Sequence, residues 1–342
     1  MNEMFAYQDA KTGYTIRQYT KGPGRNAKLY FTTENFTTDD RFFFFNRETG
    51  DGPMPSGTLC KAEVETGEII PVAGSGYHGF AMAREENYGV MCKGDVVCRL
   101  DCDSGEITEL GALPRDGHVT GHLTVANSGL VACSYQLANK IFALVTLDPQ
   151  TGKHEVVFQS DYHLGHAQIC PTDDNLIFFI HETGGDALQR TWMYDIAARC
   201  ERPYYVEHPD EWITHEVWSA DGSKIAFMKI PHHILLGDKD GRQFSQVAES
   251  PQVLHPGISR DRQWLCADKT TSVALGVTDG VLLINPRTGK TLDLASTGTP
   301  KTGADHLHPS FDRSGNRILF SNPDENGMAQ VCVIDLRQVE RP

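Results

Sequence analysis

The sequence predicts an all-β fold, a seven-bladed β-propeller, and three observations carry that expectation. A polar turn leading into an apolar strand recurs near residues 40, 86, 128, 173, 221, 261 and 314. Those turns lie 40 to 53 residues apart, close to the ~40–50 residues of a four-stranded propeller blade. No long segment with a 3.6-residue apolar period competes with them.

Taken in order, the turn-strand half of the unit reads "TTDDRFFFF" from Thr37, "EENYGVMC" from Glu85, "NSGLVACSY" from Asn127 and "TDDNLIFFI" from Thr172. It returns as "ADGSKIAFM" from Ala220, "SRDRQWLCA" from Ser259 and "RSGNRILFS" from Arg313. The other half is a strand, a Gly-containing turn and a second strand, as in "VCRLDCDSGEITEL", "LVTLDPQTGKHEVV" and "VLLINPRTGKTLDL". Thr-Gly and Ser-Gly turns between β-rich segments fit antiparallel hairpins. The units fill roughly residues 30–336, so residues 1–342 read as a single propeller domain. The strand around Tyr14–Tyr19, or that around Ala27–Thr32, is expected to pair with the last blade and close the ring. Closure removes exposed sheet edges.

Bulk properties narrow the class. The 342 residues are 39% hydrophobic and 22% charged, the composition of a soluble globular protein. The formal net charge is −14 and no Lys/Arg block offers a phosphate-binding stripe, which argues against nucleic acid as a partner. No run approaches the ~18 apolar residues of a membrane span, and the N-terminus lacks the basic start and apolar core of a signal peptide. Nine cysteines, an odd number without a CxxC pair, favour reduced thiols and a cytoplasmic location.

The chemistry concentrates in histidine. His78, His122, His166, His215, His255 and His308 each precede one of the turns by six to eight residues. In a propeller the first strand of each blade lines the central channel, so one end of the channel is expected to carry all six. Imidazole is both the commonest metal ligand and the commonest acid/base group near neutral pH. Blade one breaks the pattern, with Glu34, Asn35 and Phe36 in the equivalent stretch.

"ADHLHPSF" holds His306 and His308; His-x-His on a strand puts both rings on one face. With His255 from the preceding blade, a three-histidine metal site is geometrically reasonable. The competing reading is structural, since Gly-His pairs hold WD-repeat blades together by hydrogen bonds, and Gly121-His122 and Gly165-His166 look like such pairs. The partnering Trp-Asp motif is missing. His215 is followed by Glu216 but is not part of HExxH, because position 219 is Ser. Arg190 lies in a Gly-containing insertion after His181; a surface arginine is normally just solvated, but near a channel mouth its fork can clamp a carboxylate. Gly74–Gly79 matches GxGxxG, but no helix follows it, so the dinucleotide reading fails. "DCDSGE" aligns with the hairpin turns rather than with a calcium loop, and no GxSxG is present for a hydrolase.

The segments "GHAQICPTDDNLIFFIHE", "RTWMYD", "HEVWSADGSKIAF", "LHPGISRD" and "HLHPSFDRSGNRILFSN" together resemble the oligogalacturonate lyase family, over residues 160 to 325. The resemblance implies a metal-dependent lyase that cleaves short galacturonate oligosaccharides by β-elimination. It places manganese on His255, His306 and His308, the base on His215 and a substrate-directed arginine on Arg190. His166, Gln168 and His122 are expected to bind substrate. One departure stands out: the family's glutamine ligand before the His-x-His pair is missing, and Thr302–Asp305 fills the stretch. A non-catalytic TolB-like binding module, or a propeller lyase or lactonase for a different uronate, is the alternative.

Overall fold

The computed structural model describes residues 2–22, 24–49, 56–183, 187–230, 233–249, 253–272, 277–298 and 306–342. Seven antiparallel sheets follow one another along the chain. Their innermost strands are Asn26–Lys28, Tyr77–Met82, Thr124–Val125, Leu164–Cys170, Trp212–Trp218, Val253–Ile258 and Ser310–Phe311, which begin blades one to seven.

The apolar runs are explained by where the blades bury them. Successive strand residues point to opposite faces, and each blade is covered on both faces by its neighbours. Phe43 and Phe45 pack toward blade seven, whereas Phe44 packs toward blade two. Ile177 and Phe179 face blade three, while Phe178 and Ile180 face blade five. Val281 and Leu283 face blade seven, and Leu282 and Ile284 face blade five. The core is therefore a set of wedges between adjacent blades. Strands buried on both faces lose the apolar-polar alternation of a half-exposed strand. All nine cysteines are free thiols, and all but Cys200 are buried.

The ring closes through the first of the two segments named from sequence. Thr15–Gln18 pairs with the C-terminal strand Ala329–Asp335, and Phe5–Gln8 pairs with Thr15–Gln18. Blade seven thus takes strands from both ends of the chain. Asn26–Lys28 instead opens blade one, paired with Phe42–Thr49. Ile16 is opposite Ile334 and fully buried between blades six and seven. Ile16→Ala is expected to cost about 2–5 kcal/mol, read as a lower urea midpoint; an unchanged midpoint would mean that the N-terminal strands do not close the ring.

Candidate functional site

A repeated irregularity aims the histidines. On blade four, Gly165 pairs with Ile180 and Gln168 with Phe178, so three steps on the inner strand oppose two on its partner. The same bulge occurs between Thr214 and Val217 on blade five and between Val253 and Pro256 on blade six. An extra residue in a ladder bends the strand and re-aims a side chain. His166 and His215 occupy the first position of their bulges in the left-handed conformation, with φ of 47° and 58°, and His308 on blade seven is left-handed as well, with φ 47°. Glycine usually fills such a position, and its occupation by histidine is strain of the kind found at functional sites.

The six histidines do not share one phase, which corrects the sequence expectation. On blade two the left-handed position belongs to Gly79, with φ 67°, and His78 precedes it, exposed. On blade six the first bulge residue is Leu254 and His255 is the second. His255 is held by Asp268 instead: its backbone N–H donates to Asp268 Oδ1 at 2.6 Å, and its Nδ1 meets Oδ2 at 2.8 Å. The His308 backbone N–H also donates to Asp268 Oδ2, at 3.3 Å. Asp268 is fully buried. Burial alone would raise its pKa, but the charge and hydrogen bonds of His255 hold it below the ordinary carboxylate range.

These contacts build a metal-competent cluster. One nitrogen from each of His255, His306 and His308 lies within 4.8 Å of the other two. Nδ1 of His306 faces Nε2 of His255 at 3.4 Å, a pair that a proton or a cation must bridge. Metal–nitrogen bonds of about 2.1 Å in tetrahedral geometry separate two ligands by about 3.4 Å. With its Nδ1–H on Asp268, His255 presents a bare Nε2, the carboxylate–histidine arrangement that supports metal ligands. The donor set therefore fits a divalent ion. His308 is held well below its ordinary pKa by burial, then by His255, Lys28 and His306. It is accordingly neutral, as ligation requires.

His215 is beside the cluster, its ring 4.0 Å from that of His255. Burial, then His255, His166, His306 and Arg190, push its pKa far down. Its Nδ1 is buried with no hydrogen-bond partner. On the other side of Glu216, His166 Nδ1 meets Glu216 Oε2 at 3.3 Å, and Gln168 Nε2 donates to the Glu216 carbonyl at 2.8 Å. Arg190 is not the exposed residue its insertion suggested. It is 4% exposed, with Nη1 and Nη2 on the two oxygens of Glu182 at 3.1 and 3.3 Å. Its Nε is buried and unpartnered.

Two aromatic residues complete the site, and neither was read from sequence. Tyr30 stacks on His122 at 5.0 Å and turns an edge to His166 and His308. Phe31 stacks on His308 at 5.8 Å and meets His255 edge-on at 5.0 Å. The chain that follows continues across the channel: Thr33 Oγ1 accepts the backbone N–H of Met82, and Glu34 pairs with Arg84. A cavity of about 600 Å³ is lined by Tyr30, His122, His163, His166, Gln168 and Glu182. It shares Tyr30 and His122 with a wider cleft of about 1080 Å³ toward His78, Tyr77 and Arg25. His166, Gln168 and His122 thus meet at one cavity, while His215, His255, His306 and His308 meet at the ion site. The stretch Thr302–Asp305 lies outside the described residues.

Fold and site together define a propeller with an imidazole-rich, metal-competent cluster in its channel. A family model described as oligogalacturonate lyase matches residues 131–337, and the chain belongs to that family. The oligogalacturonate lyase of Dickeya dadantii (strain 3937) is 23% identical, with 92% of each chain covered. The oligogalacturonide lyase of Pectobacterium atrosepticum gives the same identity and coverage. Among solved structures, an oligogalacturonate lyase in complex with manganese superposes with a TM-score of 0.86 at 20% identity, over 98% of this chain and 96% of that one. The oligogalacturonate lyase of Vibrio parahaemolyticus also gives 0.86 at 20% identity, over 98% and 97%.

Proposed function

We propose that this protein is a metal-dependent lyase that cleaves short galacturonate oligosaccharides by β-elimination, with manganese as its ion. The observation that carries the reading is the convergence of His255, His306 and His308 beside the unpartnered His215. A divalent ion on those three imidazoles would supply a Lewis acid for the substrate carboxylate, where negative charge grows as the carbon 5 proton leaves. His215 takes that proton; kept neutral in its surroundings, it has a lone pair available for the task. Arg190 stabilises the same carboxylate or its neighbour through the edge that Glu182 leaves open. The bond from carbon 4 to the glycosidic oxygen then breaks, giving a 4,5-unsaturated product without consuming water. The nine free thiols fit a reducing cytoplasm as the place of work.

The test is incubation of chelator-treated protein with digalacturonate, with and without added manganese, following the α-keto acid product. Turnover that depends on manganese is the expected result. Its absence for every uronate disaccharide tried would sink the proposal.

A further inference from the structure

Elimination from a glycoside needs two proton transfers, and His215 accounts for one. The departing glycosidic oxygen is a poor leaving group as an alkoxide, so a second group must supply a proton to it. We propose that His166 is that general acid, an assignment that rests on the lyase reading above.

Three observations support it. His166 occupies the same bulge position as His215, one blade earlier, and is likewise held at positive φ. Its ring lies on the wall of the 600 Å³ cavity, with about a quarter of the side chain exposed, so it can reach a bound sugar. Both of its ring nitrogens face carboxylates. Nδ1 is 3.3 Å from Oε2 of fully buried Glu216, and Nε2 is 4.0 Å from Oε2 of Glu182. The other groups around it are Tyr30 edge-on, His122 and His215, with Arg190 behind Glu182.

Geometry separates the roles. The His215 ring is 4.0 Å from that of His255, beside the ion cluster, whereas His166 lines the cavity, with Nδ1 against the buried carboxylate of Glu216 and Nε2 toward Glu182. The step balances. The carbon 5–hydrogen bond breaks to His215, its electron pair becomes the carbon 4–carbon 5 double bond, and the carbon 4–oxygen bond breaks. The oxygen takes the proton from Nε2 of His166. His166 ends neutral and His215 protonated, and solvent exchange resets both.

The deciding experiment compares two leaving groups. Digalacturonate expels an alkoxide that needs a proton; a 4-deoxy-4-fluoro-galacturonoside expels fluoride, which does not. His166→Asn is the variant of choice, because asparagine tolerates positive φ. It is expected to lose about 100-fold or more on digalacturonate, far less on the fluoride, and to keep exchanging the carbon 5 hydrogen with deuterated solvent. Manganese content and thermal midpoint should match wild type. Glu216→Gln, which weakens the support behind the imidazole, should show the same selective loss in smaller degree. Equal losses on both substrates would overturn the proposal and leave His166 as a binding residue. If the wild-type protein turns over neither substrate, the lyase reading itself fails.

Discussion

His215→Ala is expected to lower turnover of digalacturonate by about 10²–10⁴-fold with manganese still bound in wild-type amount. The two halves of this expectation have separate physical grounds. The loss follows from removing the imidazole whose buried Nδ1 is unpartnered and whose surroundings keep it deprotonated. Retention of the ion follows from what His215 does not hold. The nitrogens that converge to hold an ion in the proposed site belong to His255, His306 and His308, and His255 is fixed from behind by Asp268. Because residue 215 sits at φ 58°, His215→Asn should accompany the alanine variant, since asparagine accommodates that backbone better. Metal analysis alongside single-turnover kinetics reads both halves. Loss of manganese from both variants would make His215 a ligand, and the base would have to be sought elsewhere.

Asp268→Asn is expected to weaken manganese binding by about 10–100-fold. The two oxygens of Asp268 accept from three N–H groups: the His255 backbone, His255 Nδ1 and the His308 backbone. Asparagine replaces one acceptor with an NH₂ group, which places donor against donor in a fully buried position. Either the side chain turns away or His255 gives up its Nδ1–H, and in both cases Nε2 is no longer presented as a bare ligand. Titration calorimetry of manganese into chelator-treated protein measures the effect without relying on activity. Unchanged affinity with a lowered melting temperature would mean that Asp268 supports the strands and not the metal.

The frame was legible in the sequence because it repeats. Turns such as "ADGSK" and "RSGNR" mark each second strand, and runs such as "RFFFF" become intelligible once both faces of a blade are buried. His306 and His308 announced themselves through their period-two spacing. The bulges did not. A one-residue insertion in a ladder leaves no compositional mark, so His78 and His255 were assigned the phase that Gly79 and Leu254 occupy. Asp268 looks in sequence like any charged residue of a strand; its importance depends on lying across the ladder from His255. Tyr30 and Phe31 were hidden for a related reason, because "KLYF" reads as an ordinary strand and its path into the channel is a tertiary outcome. Arg190 was found as a residue but misplaced as to burial, since Glu182 and Glu207, which hold it, are separated from it in sequence by 8 and 17 positions.

The course of residues 30–34 has a consequence for the cavity. A propeller channel is in principle open at both ends, yet here Tyr30 and Phe31 pack against histidines of blades three to seven, and Thr33 and Glu34 tie onto Met82 and Arg84 of blade two. The chain's own residues thus cross the bore, and Tyr30 and Thr32 of that crossing form part of the cavity wall beside His122 and His166. One side of the cavity is therefore built by a connecting segment and not by a blade.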